Sequence, residues 1–454
     1  MTRFSIFISD LLKRQNTLKY LRLFEGFRNA PPEAISAYRL KRLQMLLDHC
    51  ERNVPFYRKR FSDCGFSARE FSSLDQMEAI PPLSRQDLQD HWQEIIATNF
   101  AGKKLSAGSS GGSTGQPVFY RKDSEATSAG QAAHLLGWSF SGWKMSMKGL
   151  HIWGNPTTVN EEWGRLSSRI KARVFRHHKF PAYTLHDGSR LHDLYDLIQR
   201  EKYDYIDGYT NAIYYFAEYL QSNNLSFSKP LKYVLTTAEN LHDFQRRAIA
   251  DTIAPVFDTY GCSEINSIAF ECSRCGLYHI IDPHVMVEYG SAIDEPGNRE
   301  IYVTDLDNFA FPMLRYRNGD MVIPAEGNLP ECDITFSRIR AISGRETDIL
   351  RLPDGGMLSV PSFFGSMLLK KVNGLKQYQV EKVSDNMLLI NLVTTDRFTN
   401  EDMRVIESAM EEYLGGRTGY EVRTVDSISM SKSGKFRLVV DHTVSHPDGQ
   451  KNVP

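Results

Sequence analysis

Between residues 205 and 258 the chain alternates short apolar runs with helical stretches, and that alternation restricts the fold more than any other feature. Tyr205-Ile206-Asp207 leads into a helical stretch from Ile213 to Leu220, whose Tyr214 and Tyr215 read as core or pocket wall. Tyr233-Val234-Leu235-Thr236-Thr237 reads as a strand, Asp243 to Ile253 as the helix after it, and Pro255-Val256-Phe257-Asp258 as another short strand. Such a pattern predicts an α/β layered domain. After residue 278 strands and turns take over, with Glu300-Ile301-Tyr302-Val303-Thr304 alternating well. A small α+β module is expected from near Gly344, with strands Gln377–Glu381, Met387–Val393 and Tyr420–Val425 and a helix Asn400–Leu414. Two domains follow, 1–343 and 344–454, within a length that allows two or three.

Upstream, residues 33–51 read as helix, with Leu40, Leu43, Met45, Leu46 and Leu47 at helical spacing and Asn53-Val54-Pro55 as the break. Ser84 can cap a helix starting at Arg85-Gln86-Asp87, and another helix is expected around 124–138. Met1 to Asn29 mixes Phe4, Ile6, Phe7, Leu11 and Leu12 with Lys13, Arg14, Lys19 and Arg22. It lacks a continuous signal-peptide core and reads as an amphipathic helix packed on the protein, with loose membrane contact as the alternative. Lys and Arg number 54 against 55 Asp and Glu, a formal charge of −1, which excludes the basic footprint of a nucleic-acid binder. No apolar run reaches the length of a membrane span. Six cysteines in so long a chain make no disulfide framework, so a reducing, cytoplasmic location is expected. The polar tail from Ser445 is expected to fray.

Ser109-Ser110-Gly111-Gly112-Ser113-Thr114-Gly115-Gln116-Pro117 has almost no side-chain bulk, so backbone amides can close around a phosphate while hydroxyls donate to it. A Gly/Ser run also reads as a plain linker. It is not the P-loop of ordinary NTPases, because Gln116-Pro117 stands where Lys-Ser/Thr is required. Nor does a Gly-x-Gly-x-x-Gly follow an apolar strand here. Elsewhere, Glu264 in Asp258-Thr259-Tyr260-Gly261-Cys262-Ser263-Glu264 offers carboxylate oxygen to a hard cation. Asp320, in Arg315-Tyr316-Arg317-Asn318-Gly319-Asp320, offers two acceptor oxygens, although Asn318-Gly319 by itself reads as a hairpin turn. Cys272-Ser273-Arg274-Cys275-Gly276 is a zinc-knuckle-like turn. Arg176-His177-His178-Lys179 reads as a polar surface run rather than a metal site.

The glycine loop resembles the phosphate loop of the adenylate-forming enzymes, acyl-activating ligases that use ATP and a carboxylate, with Gln116 in place of the usual lysine. Tyr260-Gly261-Cys262-Ser263-Glu264 is similar to that family's Tyr-Gly-x-Thr-Glu, Ala238-Glu239-Asn240 to its adenine-contacting segment, and Arg315–Asp320 to its Arg-Tyr-x-Thr-Gly-Asp. Gly344-Arg345-Glu346-Thr347-Asp348 is similar to its hinge, with Thr347 replacing the first hinge aspartate and Asp348 kept. Ser431-Lys432-Ser433-Gly434-Lys435 is similar to the segment that carries its adenylation lysine. Asn53–Arg58, Ile80–Arg85 and Asp207-Gly208-Tyr209 resemble the phenylacetate–coenzyme A ligase group, and its capsule-biosynthesis branch in particular.

The resemblance implies a large multi-subdomain N-terminal adenylation domain and a small mobile C-terminal domain. It implies that Ser109, Ser110, Gly111, Gly112, Ser113, Thr114 and Gly115 cradle phosphates and that Tyr260 and Gly261, with Ala238 and Glu239, flank the adenine. It implies that Ser263 reaches a phosphate and Glu264 holds Mg²⁺. It also implies that Asp320 and Arg345 hold the ribose, that Thr347 and Asp348 form the hinge, and that Lys435 is catalytic. The carboxylate pocket is expected between the Tyr209 and Tyr260 segments. Cys332 lies where relatives carry a second cysteine pair, so Cys272, Cys275, His279 and Cys332 form a candidate structural zinc site, with three unmetallated cysteines as the alternative. The partners implied are a carboxylic acid and an acyl acceptor: coenzyme A, or an amine or hydroxyl of a sugar or carrier. Leu352-Pro353-Asp354-Gly355 departs from the Arg-Gly-x-Asn stretch of typical aryl–coenzyme A ligases. A coenzyme A ligase for an aryl acid and a non-catalytic nucleotide-binding assembly factor are the other readings.

Overall fold

The computed structural model describes residues 3–110, 118–154, 176–185, 188–239, 241, 243–292, 299–342, 349–354, 357–360, 372–428 and 439–443. The chain divides into a large unit that ends at residue 345 and a small one from residue 346 onward.

In the large unit, β1 (Ser106–Ser110) and β2 (Val118–Lys122) pair with each other on either side of residues 111–117. The main sheet is built on β3 (Gly149–Trp153), β4 (His177–Pro181), β5 (Tyr205–Tyr209), β6 (Tyr233–Thr237) and β7 (Val256–Tyr260), all parallel in the order β4-β3-β5-β6-β7. From β4 onward the chain passes between successive strands through the helices Gly188–Glu201, Thr210–Ser222 and Asp243–Thr252, because a parallel neighbour can be reached only by a long crossover. β6 is buried along nearly its whole length, as a strand covered on both faces must be. The sheet then turns antiparallel through β8 (Ala269–Glu271), β9 (Tyr278–Ile280), β10 (Val285–Ala292), β11 (Arg299–Asp305), β12 (Tyr316–Pro324) and β13 (Arg338–Ile342).

The helix Ser124–Trp138 covers one face. Asp123 caps it by accepting from the Ala126 amide at 2.7 Å, and Ala129, Ala132, Ala133 and Leu136 are small or slim enough to lie close against Tyr205, Tyr233 and Phe270. Two N-terminal helices, α1 (Arg3–Lys13) and α2 (Thr17–Phe27), add Ile6, Leu21 and Phe24 to the same core. α3 (Pro32–Asn53) starts with proline, buries Ile35, Leu43, Leu46, Leu47 and Cys50, and stops where Pro55 cannot continue its hydrogen bonding. The predicted cap at Ser84 is present as a capping box with Asp87. Among the described residues no helix is long and apolar enough to cross a membrane.

The small unit holds the pair β14 (Ile349–Arg351) and β15 (Met357–Ser359). Beside it is a four-stranded sheet of β16 (Leu375–Ser384), β17 (Met387–Thr394), β18 (Gly419–Thr424) and β19 (Val439–Asp441), in the order β18-β17-β16-β19. The helix Asn400–Leu414, capped by Thr399 with Asp402, packs Ile406, Met410 and Leu414 on Leu388, Ile390 and Leu392. The chain is therefore α/β with a separate α+β C-terminal module, as the alternation and the strand spacing predict.

Candidate functional site

Asn318-Gly319 is not a hairpin turn. β12 runs through it, and the register against β11 jumps from Tyr302↔Arg317 to Glu300↔Met321, so Asn318, Gly319 and Asp320 bulge opposite Ile301 alone. Gly319 takes φ +80, open at little cost only to glycine. The bulge re-aims two polar side chains at the end of β7. Asn318 Nδ2 donates to the Tyr260 hydroxyl at 2.8 Å, that hydroxyl donates to Asp320 Oδ2 at 2.8 Å, and the Asp320 amide donates to Asn318 Oδ1 at 3.0 Å. Burial and the neighbouring Asp320 carboxylate push the Tyr260 phenol well above its ordinary range, so it stays a donor. Gly261 follows where a Cβ would lie 2.9 Å from the Ser267 amide, so the chain turns there without a side chain. Asp258, two residues before Tyr260, accepts from Thr236 at 2.6 Å and Tyr278 at 2.9 Å. Burial pushes its carboxyl up to about 7.

Glu264 is 3% exposed, with the Tyr316 hydroxyl at 3.2 Å and Arg85 at 3.8 Å. Arg85 is the first residue of the helix that Ser84 caps, so the predicted cap positions a partner for the predicted cation ligand. Lys122, missed by sequence reasoning, is buried at the end of β2 and donates to the Ser263 carbonyl at 3.3 Å. Burial lowers its ammonium, against the pull of Asp305, Cys262 and Glu264. No motif marks it, since a lysine ending a strand reads as surface. Ala238 sits at φ +69, a strained setting for a residue with a Cβ, and the Glu239 carboxylate accepts from the Asn211 amide at 2.8 Å. Glu239 thereby meets the positive end of the helix Thr210–Ser222.

Cys272, Cys275, His279 and Cys332 bring four ligand atoms within 4.8 Å of one another. The first three come from the β8–β9 turn and β9; Cys332 comes from the loop before β13. Tetrahedral zinc bonds of about 2.3 Å to sulfur and about 2.05 Å to nitrogen give S–S edges of about 3.8 Å and S–N edges of about 3.6 Å. Cys272 and Cys332 sulfurs lie 3.8 Å apart, and Cys275 Sγ lies 3.4 Å from His279 Nε2. The other ring nitrogen of His279 faces the Phe336 carbonyl at 3.3 Å, the outer contact that orients a metal-binding imidazole. Burial lowers His279 to about 4, leaving it neutral and ligand-competent at neutral pH. The donor set fits zinc.

His177 corrects the surface reading of its polar run. On β4 its Nε2 donates to Asp207 Oδ1 at 2.8 Å, while Nδ1 of His151 on β3 donates to Oδ2 of the same carboxylate. Asp207 is 2% exposed. Burial raises its carboxyl, but the two imidazoles outweigh burial and hold it well below the usual carboxylate range. Gly208 lies at φ +151 with the Ile152 carbonyl oxygen only 2.1 Å from where a Cβ would be, and this close approach sets Asp207 beside His151. One step further along the same face, Trp153 stacks on His151 and on Tyr209, with ring centroids 5.1 and 4.1 Å apart. Parallel registry, invisible in sequence, assembles this layer.

Ser109 ends up on β1, and Ser110 closes that strand. Gly111, Gly112, Ser113, Thr114, Gly115, Arg345, Thr347, Asp348 and Lys435 lie outside the described residues.

Residues 354–442 match the family model described as the CapK C-terminal domain. The chain is 22% identical to Protein CapK of Staphylococcus aureus over 88% of each chain. It is 25% identical to the phenylacetate–coenzyme A ligase of Pseudomonas putida over 72% of this chain and 74% of that one. Among solved structures, 2-hydroxyisobutyryl-CoA ligase in complex with 2-HIB-AMP and CoA aligns over 91% of both chains with a TM-score of 0.60 at 17% identity. The chain thus has the fold of the adenylate-forming superfamily, with CapK and the phenylacetate–coenzyme A ligases as its relatives in sequence.

Proposed function

We propose that this protein is an ATP-dependent acid ligase that forms an acyl-adenylate. A carboxylate oxygen attacks the α-phosphorus of ATP, the bond to the β-phosphate oxygen breaks, and pyrophosphate leaves. The observation that carries the reading is the convergence of Tyr260, Asn318 and Asp320 in one network, joining β7 to a bulge in β12 about sixty residues away. A carboxylate fixed by a buried phenol suits the two ribose hydroxyls. Glu264 would help hold Mg²⁺ against ATP, since Mg²⁺ is usually bound by one or two protein carboxylates plus substrate phosphates while keeping several waters. Ser109–Gly115 is assigned to the phosphates, Ser263 to a phosphate contact, Arg345 to the ribose and Lys435 to the charge that develops as pyrophosphate leaves. Rotation near Thr347 and Asp348 would exchange Lys435 for the acceptor. Zinc at Cys272, Cys275, His279 and Cys332 is structural in this reading.

The acceptor is assigned as an amine or hydroxyl of a sugar or carrier. Within Leu352–Gly355, which departs from the Arg-Gly-x-Asn stretch of aryl–coenzyme A ligases, Asp354 makes a two-pronged pair with Arg417, at 2.5 and 3.2 Å. That carboxylate does nothing to attract the phosphates of coenzyme A. The competing reading, thioester formation, draws on the named activity of the Pseudomonas relative.

Carboxylate-dependent exchange of labelled pyrophosphate into ATP, across aryl, fatty, hydroxy and amino acids, tests the first step. Exchange with one acid class, lost in Lys435→Ala, is expected. ATP binding with Mg²⁺ but no exchange with any acid would overturn it in favour of a non-catalytic nucleotide-binding protein. Product analysis with and without coenzyme A then separates the acceptors.

A further inference from the structure

α1 is amphipathic with its apolar face turned outward. Phe4 is 73% exposed, Phe7 54%, Leu11 68% and Leu12 79%, and Ile8 joins them at 38%. At about 100° per residue these five cover an arc of roughly 140°. The face turned to the protein carries Ser5 and Asp10 beside Ile6. Asp10 is used up there: its carboxylate accepts from the Leu18 amide at 3.1 Å, and its carbonyl accepts from Gln15 at 2.8 Å, fixing the turn into α2. Leu23 on α2 is also exposed, so six of the nine large apolar side chains exposed among the described residues belong to this one helical hairpin. Scattered exposed leucines need no explanation, but a contiguous ridge of this kind marks an interaction surface.

The charge around the ridge selects the partner. Arg3, Lys13, Arg14, Lys19 and Arg22 are all exposed on α1, the turn and α2. The one acidic residue of α1, Asp10, is buried, and Glu25 is paired with Arg3 at 3.1 Å. The chain as a whole is nearly balanced, with a formal charge of −1, so the cationic rim is local. An apolar ridge rimmed by lysine and arginine matches an anionic lipid surface, in which such a helix lies flat with its apolar side chains among the acyl chains. A protein groove would ask for no such excess of one charge. We propose that the α1–α2 hairpin is a peripheral membrane-binding face that docks the protein on anionic bilayers.

The test is flotation of the full-length protein with vesicles of phosphatidylcholine alone and of phosphatidylcholine with phosphatidylglycerol. The wild type is expected to float with the anionic vesicles, and raising salt from about 0.1 to about 1 M, which shortens the screening length from about 10 to about 3 Å, is expected to release it. Phe7→Glu/Leu11→Glu and Lys13→Glu/Arg14→Glu are each expected to lower the partition at least tenfold. All four side chains are exposed, so unchanged circular dichroism spectra and melting temperatures keep loss of fold apart from loss of binding. Absence of flotation by the wild type, or equal flotation by the apolar double variant, would overturn the proposal. So would a wild-type dimer in light scattering that Phe7→Glu/Leu11→Glu turns monomeric without any vesicle binding, because a second copy would then cover the ridge.

Discussion

Replacing Cys332 by serine separates a structural zinc from three idle thiols. Cys272, Cys275 and His279 lie within eight residues and can chelate an ion in the unfolded chain almost as well as in the folded one. Cys332 is 60 residues from Cys272. To recruit it the unfolded chain would have to close that loop, and the chain-entropy relation for a cross-link over this span gives about 4 kcal/mol. The fold has already closed it, leaving the two sulfurs 3.8 Å apart. A zinc ion bound there would therefore favour the folded state by about that amount, since only differential binding stabilises. In Cys332→Ser the folded and unfolded chains offer the same local ligands, and the gain should nearly vanish. The assay is urea unfolding of wild type and variant under reducing conditions, with bound zinc and after chelation, alongside metal analysis of the purified protein. Zinc should raise the wild-type unfolding free energy by about 4 kcal/mol and the variant's by under about 1 kcal/mol. Equal stabilisation of both proteins, or a wild type that neither retains zinc nor responds to it, would refute the reasoning.

Tyr260→Phe keeps the ring but strips a hydrogen bond from the Asp320 carboxylate. Such bonds are worth about 1.5–3 kcal/mol, so Mg-ATP affinity by calorimetry should fall about 10- to 100-fold, and unchanged affinity would remove Asp320 from the ribose site. Asp207→Asn leaves two imidazoles without their shared buried charge and should cost about 3 kcal/mol at pH 7 in denaturant unfolding. Because the folded carboxyl is held below its unfolded range, its contribution is complete above about pH 5 and lost as pH falls. The difference between wild type and variant should therefore shrink below about pH 4; a difference that grows in acid would contradict the pairing.

What the sequence determined by itself is what neighbouring residues decide. Helix ends at Pro55, Ser84 and Thr399 depend on local capping and on the missing amide of proline, and the strand Tyr233–Thr237 shows itself as an unbroken apolar run because both its faces are covered. The tyrosine, glutamate and aspartate segments were visible as motifs, although Asn318-Gly319 read equally well as a hairpin turn. Only pairing with β11 decides between turn and bulge, because a bulge exists relative to a partner strand. The same holds for His177 and His151, which reach one carboxylate through the registry of β3, β4 and β5, strands whose neighbours no local pattern names. Lys122 reads as surface until the segment after β7 folds over it. The outward ridge of α1 is the plainest case: periodicity showed that the helix has two faces, and only tertiary packing, with Asp10 bound to Leu18 and Ile6 in the core, decided which face meets the solvent.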